Sequence, residues 1–207
     1  MVQEARLQDV GSGLAPVSPG WFVVNVGEAA WLHHDAFGGR CVFESSRRVL
    51  AERPELEPQM FEQLGFTLAV LEPGKPTGMY HAESSQEDFL VLAGTCLLIV
   101  EEEERELRAW DFVHCPPGTN HTFVGTGDGT CVIFMAGARR EDGTIVYPVS
   151  RTASAHASGV EAETKSPREA YAPFGHWRLG RPGAWSRLPW GRGSRESGES
   201  AVDRPNG

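Results

Sequence analysis

From Phe66 to Gly137 apolar runs and turn signals alternate at about the 8 to 12 residue spacing of an all-β sandwich or barrel. FTLAVLEPG, DFLVLAG, TCLLIV, ELRAWDFV, HTFVGTGDG and TCVIFMAG each read as a strand with a Gly or Pro close by. The acidic run Glu101 to Glu104 falls where a hairpin should turn and reads as a solvated loop. Upstream, residues 1–20 are polar and punctuated by Gly and Pro. WFVVNVG (Trp21 to Gly27), AAWLHH (Ala29 to His34) and RCVFESS (Arg40 to Ser46) have the aromatic and β-branched content of short strands. Downstream of Arg140 the texture changes. Ser150 can cap a short helix through Ala157, and Ser166-Pro167-Arg168-Glu169 is a capping box with Pro at the first helical position. The pattern predicts an N-terminal arm with extra strands over 1–60, a barrel over 61–138, an extension with short helices over 139–190 and a disordered tail over 191–207. No internal repeat is visible.

Composition sharpens this picture. The 24 Gly and 14 Pro in 207 residues disfavour helices. The formal charge of −9 resists close approach to nucleic acid or anionic lipid, so neither is an expected partner. No basic segment followed by a long apolar run opens the chain and no stretch is long enough to span a membrane, which predicts a cytoplasmic protein. Cys41, Cys96, Cys115 and Cys131 stand far apart with no CxxC pair and read as free thiols. Leu90 and Leu92 alternate with the inward Phe89 and Val91, so the outer face needs a cover from an arm or a second copy, and a homodimer is expected. Trp177, Trp185 and Trp190 are too apolar for a free tail and should pack on the barrel or on a partner.

The segment Gly78 to Gly94, GMYHAESSQEDFLVLAG, carries the chemistry. Residues two apart in a strand share a face, so His81, Glu83 and Glu87 project to one side, with Phe89 and Val91 continuing that side into a core. Ionisable groups at the end of an inward apolar run call for a compensating cation. In the second segment, Ala109 to Gly125, the turn Pro116-Pro117-Gly118 delivers His121 to a new strand with Phe123 on the same inward face. His33 and His34 are adjacent, point to opposite sides and cannot chelate one ion together. His114 and Cys115 precede the Pro-Pro turn, and a packed thiol is expected there rather than a reactive one.

These two segments resemble the signature motifs of the cupin superfamily. Glu87 is followed by six residues and Gly94, and Pro116-Pro117-Gly118-Thr119-Asn120-His121 fits the second motif, Pro-x-Gly-x-x-His. The chain departs from the pattern at Glu83, where the family usually has a second histidine. It departs also at Gly74, seven residues before His81, and at Trp110 and Gly125, which replace the outer Gly and Asn of the second motif. The resemblance implies a double-stranded β-helix, the jelly-roll barrel, holding one divalent metal ion on His81, Glu83, Glu87 and His121. Two histidines and two carboxylates suit Mn or Fe and permit Zn or Ni. It further implies a small-molecule enzyme of dioxygenase or isomerase type, or else a non-catalytic cupin that binds a sugar or organic acid. Residues 191–207 are too polar to repay their ordering entropy, so their deletion should leave the melting temperature within error. A loss of several degrees would show that the tail docks.

Overall fold

The computed structural model describes residues 1–190, and the expected tail lies outside them. Two short strands, β1 (Leu7–Asp9) and β2 (Leu14–Pro16), pair as a hairpin within the stretch that reads as polar. They are followed by β3 (Trp31–His34), β4 (Gly38–Val42), β5 (Leu64–Leu71), β6 (Ala82–Glu83), β7 (Glu87–Ala93) and β8 (Thr95–Val100). Beyond these come β9 (Glu103–Arg108), β10 (Phe112–Cys115), β11 (His121–Gly125), β12 (Cys131–Ala138) and β13 (Ile145–Val146). The helices α1 (Arg151–Ala155) and α2 (Pro167–Ala170) and a last strand, β14 (Arg178–Leu179), complete the sequence of elements used below.

An antiparallel sheet runs β10-β7-β12-β5-β4-β3-β14, and a second runs β11-β8-β9. Segment 76–83 extends the second sheet: Pro76 bridges Val124, His81 bridges His121, and β6 pairs in turn with β13. Alternate residues of the two sheets meet in one core, with Leu71, Phe89, Val91 and Ile133 from the first facing Cys96, Leu98 and Phe123 from the second. This is the double-stranded β-helix. Gly94 joins β7 to β8 at φ 75°, where a Cβ would lie 2.4 Å from the Thr130 carbonyl oxygen, so the turn needs glycine.

The outer face of the larger sheet is covered from within the chain. Trp31 is fully buried, stacked on Trp190 with centroids 5.6 Å apart and edge-on to Trp185 at 5.3 Å. Leu92 packs into the same cluster beside Leu188, Val24 and Val26. The chain's own arm and Trp-rich segment thus cover Leu92. Trp177 packs elsewhere, near Phe37 and His34.

Several expectations are corrected. WFVVNVG forms no strand: Val24 and Val26 pack sideways into the outer cluster, Val23 is exposed, and Trp21 makes only an isolated bridge with Glu4. ELRAWDFV is two strands, because Trp110 takes a positive φ of 78° and turns the chain between β9 and β10. Of the acidic run, only Glu101 and Glu102 form the turn, at φ 47° and 66°, whereas Glu103 and Glu104 belong to β9. Helix α1 stops before Ala157, which sits at φ 56° while the Ser158 N–H bonds back to the Ala153 carbonyl. Its expected cap holds, with the Ser150 side chain accepting from the Ala153 N–H. Ser166 likewise caps α2. All four cysteines are free and buried. Among the described residues no helix is long and apolar enough to cross a membrane. Trp31→Ala should cost about 3–5 kcal/mol of stability by urea unfolding. A cost below about 1 kcal/mol would show that the tryptophan cluster does not secure the outer face.

Candidate metal centre

The barrel end that carries the chemistry is held by backbone bonds. His81 and His121 face each other across an antiparallel bridge, the His81 N–H donating to the His121 carbonyl at 3.2 Å and the His121 N–H to the His81 carbonyl at 2.8 Å. The Pro-Pro-Gly turn ahead of His121 is fixed from two sides. The Gly118 N–H donates to the Glu83 carbonyl at 2.7 Å, and the Asn120 N–H donates to the Glu101 carboxylate at 2.7 Å. Glu87 opens β7, opposite Cys115 of β10 and Gly137 of β12. Strand pairing therefore sets the positions of all three side chains before any ligand arrives.

Each imidazole has a defined tautomer. His81 Nδ1 lies 2.7 Å from the Met79 carbonyl oxygen and His121 Nδ1 lies 3.0 Å from that of Thr119. A carbonyl can only accept, so both Nδ1 atoms carry the proton and both Nε2 atoms present a lone pair. The His121 Nε2 is 3.5 Å from Glu87 Oε2, and the candidate ligand atoms of His81, Glu87 and His121 all lie within 4.8 Å of one another. Oε2 of Glu87 is buried and has no hydrogen-bond partner. Two inward lone pairs and an orphaned carboxylate oxygen fit a divalent cation, which would satisfy all three at once.

Burial dominates the electrostatics. Desolvation, then repulsion by His121, depresses His81 to about 3 from 6.5. His121 is lowered chiefly by burial. Glu87 is pushed up to about 8 from 4.5 by burial and by the nearby Glu83 charge, with Arg40 acting in the opposite sense. Glu83, the fourth expected ligand, is not in the group of three. It lines the same cavity, and burial raises its carboxyl while Arg139 partly offsets the rise.

The cavity above the cluster measures about 1350 Å³. Phe123 and Met135 reach its wall, and Phe89 backs the His121 ring at 5.1 Å. Tyr147, Tyr171 and Trp177 come from the C-terminal extension, and Arg40 and Arg48 from β4 and the turn after it. Sequence reading missed these residues, which no local spacing connects to the motifs. His33, His34 and His114 have partners outside the cluster. His34 is buried, its Nε2 donating to the Gly175 carbonyl and its Nδ1 accepting from the Ala36 N–H, while His33 pairs with Asp35. His114 pairs with Asp88 on the surface, and Cys115 packs in the core with its thiol pushed up to about 12 by burial.

The segments that carry this cluster lie in the part of the chain that resembles a known family. Residues 67–137 match the family model of the cupin domain. Solved structures similar to it include a candidate sugar phosphate isomerase from Acidithiobacillus ferrooxidans, at 26% identity and TM-score 0.42, covering 54% of this chain and 66% of that one. Another is a cupin-superfamily sugar phosphate isomerase from Silicibacter pomeroyi, at 22% identity, TM-score 0.46, and 59% and 79% coverage. KdgF from Halomonas sp. shares 21% identity at TM-score 0.44, covering 60% of this chain and 98% of its own. The chain thus spans just under two thirds of the first of these structures. No curated protein matches the sequence.

The two perturbed groups give opposite pH dependences. With His81 depressed from 6.5 to about 3, its contribution to stability is full above 6.5 and is lost as pH falls toward 3. With Glu87 raised from 4.5 to about 8, the folded state holds the extra proton, and stability is lost as pH rises from 4.5 to about 8. Between pH 6.5 and 8 only Glu87 of the pair changes. Metal-free wild type should therefore lose about 1–2 kcal/mol relative to Glu87→Gln over that interval, measured by unfolding in chelator. Parallel profiles for the two proteins would contradict the buried, protonated Glu87.

Proposed function

We propose that the protein is a metal-dependent enzyme that rearranges a small organic molecule, with His81, Glu87 and His121 holding one divalent ion. The supporting observation is the pair of Nε2 lone pairs fixed beside the unpartnered Glu87 oxygen. A bound ion supplies Lewis-acid polarisation of a substrate carbonyl or hydroxyl oxygen. Three protein ligands leave open positions on Mn(II) or Fe(II), and Zn or Ni is also compatible with the donor set. The apolar side of the cavity, at Phe123 and Met135, keeps the reacting oxygen away from bulk water.

Glu83 has a separate role in this reading. It stands on the same strand face as His81, one pleat further on, and its carboxylate faces the cavity outside the group of three. From there it takes a proton from a carbon beside the polarised oxygen and returns it at a neighbouring atom, which is isomerase chemistry. A second reading, oxygen activation on ferrous iron, is supported by the combination of two imidazoles and one carboxylate.

Metal analysis tests the ligand set. His81→Ala and His121→Ala should lose their metal, Glu87→Gln should bind it at least about tenfold more weakly, and Glu83→Gln should keep it. Full occupancy in both histidine variants would refute the assignment, and loss of metal in Glu83→Gln would make Glu83 a fourth ligand. Activity on a panel of sugar phosphates, hydroxy acids and keto acids should proceed without oxygen uptake, incorporate solvent deuterium, and fall about 10²–10⁴-fold in Glu83→Gln. Oxygen consumption would select the second reading. No turnover with any metal form, together with a ligand that raises the melting temperature, would instead make the protein a binding cupin.

A further inference from the structure

The cavity is strongly basic in a chain that is acidic as a whole. Its wall carries six arginines, Arg40, Arg47, Arg48, Arg139, Arg140 and Arg168, whereas the full chain has 19 basic against 28 acidic side chains. Two of the six have carboxylate partners outside the metal cluster, Arg139 on Glu44 and Arg140 on Asp142. Among the described residues the other four form no ion pair.

Arg40 is the most constrained of them. Its guanidinium lies over the Trp177 ring at 4.7 Å and donates from one terminal nitrogen to the Thr77 carbonyl, while its Nε is buried without a partner. Tyr171 flanks the same spot, its hydroxyl accepting the Met79 N–H at 3.1 Å, and a Cβ on Gly78 would come within 2.7 Å of that hydroxyl. Arg48 is near enough for its charge to act on Arg40, neither forms an ion pair among the described residues, and the carboxylate whose charge reaches Arg40 is Glu87 of the metal cluster. The arginines of the cavity wall outnumber its carboxylates, Glu83 and Glu87, so their like charges repel and an incoming anion relieves that repulsion.

The chain origin of these groups separates them from the metal cluster. His81, Glu87 and His121 lie inside the segment that matches the cupin domain, 67–137. Arg40 belongs to β4, Arg47 and Arg48 to the turn after it, and Arg168 to α2, all outside that segment. The barrel supplies the reacting end of the cavity, and the arm and extension supply its charge. Resting on the reading of this cavity as the substrate site, we infer that the substrate is a small organic oxyanion, a phosphate monoester or a carboxylate. Its charged group is held by Arg40, Arg48 and Arg168 while its reacting oxygen points toward His81, Glu87 and His121.

Calorimetry on chelator-treated protein tests this without relying on a metal, at fixed ionic strength, with inorganic phosphate, glycerol 2-phosphate, tricarballylate and neutral glycerol. One or both classes of oxyanion should bind and glycerol should not; the tighter class assigns the headgroup. Arg48→Gln/Arg168→Gln changes two exposed side chains, leaves the buried Arg40 in place, and should weaken oxyanion binding at least about tenfold. Arg105→Gln/Arg108→Gln, on the exposed strand β9 away from the cavity, should bind as wild type. Absence of oxyanion binding, or equal weakening in the two double variants, would overturn the inference. Oxyanion binding that depends on Arg48 and Arg168 in a protein that takes up no metal would uphold it and refute the ligand assignment separately.

Discussion

His81 and His121 exchange backbone hydrogen bonds across one antiparallel bridge, and their rings lie 5.0 Å apart as a consequence. Everything at the reacting end of the barrel follows from that pairing. The bridge fixes where the two imidazoles start, and the carbonyls of Met79 and Thr119 fix which nitrogen of each ring carries the proton. The free lone pairs are thereby committed to the same point as the Glu87 carboxylate. A site built by backbone atoms is rigid because its donors and acceptors are already required by the sheet, and a cation would meet ligands that need little reordering.

The energetic strain of this arrangement is concentrated in Glu87. Its oxygen is buried without a hydrogen-bond donor, in a cavity that also holds the Glu83 charge, so the metal-free form keeps a proton there at neutral pH. A cation held by His81, Glu87 and His121 would favour the ionised carboxylate, and its binding would then depend on pH. The hydrophobic core below, with Phe89 and Phe123 4.7 Å apart, keeps water from screening the exchange. Stability at the other extreme of the molecule depends on a different contact. Trp31 with Trp185 and Trp190 seals the outer face of the larger sheet and holds the C-terminal segment to the barrel.

The barrel was legible in the sequence wherever period-two alternation and turn residues coincided, as in β5, β7, β8, β11 and β12. It was less legible where conformation opposed residue type. Trp110 at positive φ splits one apparent strand into two, and a tryptophan gives no local warning of that geometry. WFVVNVG has strand composition, yet Val24 and Val26 are used for packing and its backbone joins no ladder. In the site, His81, Glu87 and His121 could be singled out because strand periodicity and a fixed turn precede them. Glu83 shares their face, but a shared face does not determine whether a side chain reaches a common point. The arginines of the cavity were illegible for a different reason: Arg40 and Arg168 come to line one cavity only through tertiary packing of segments far apart in the chain.

The claim that the backbone preassembles a cation site is tested most directly by the tautomers of the two histidines. Long-range nitrogen–proton NMR correlation spectra of metal-free protein, taken on the alkaline side of the ordinary imidazole range, should show His81 and His121 both neutral, protonated on Nδ1, with Nε2 shifts typical of an unprotonated nitrogen. A doubly protonated ring, or a proton on Nε2 of either residue, would contradict it.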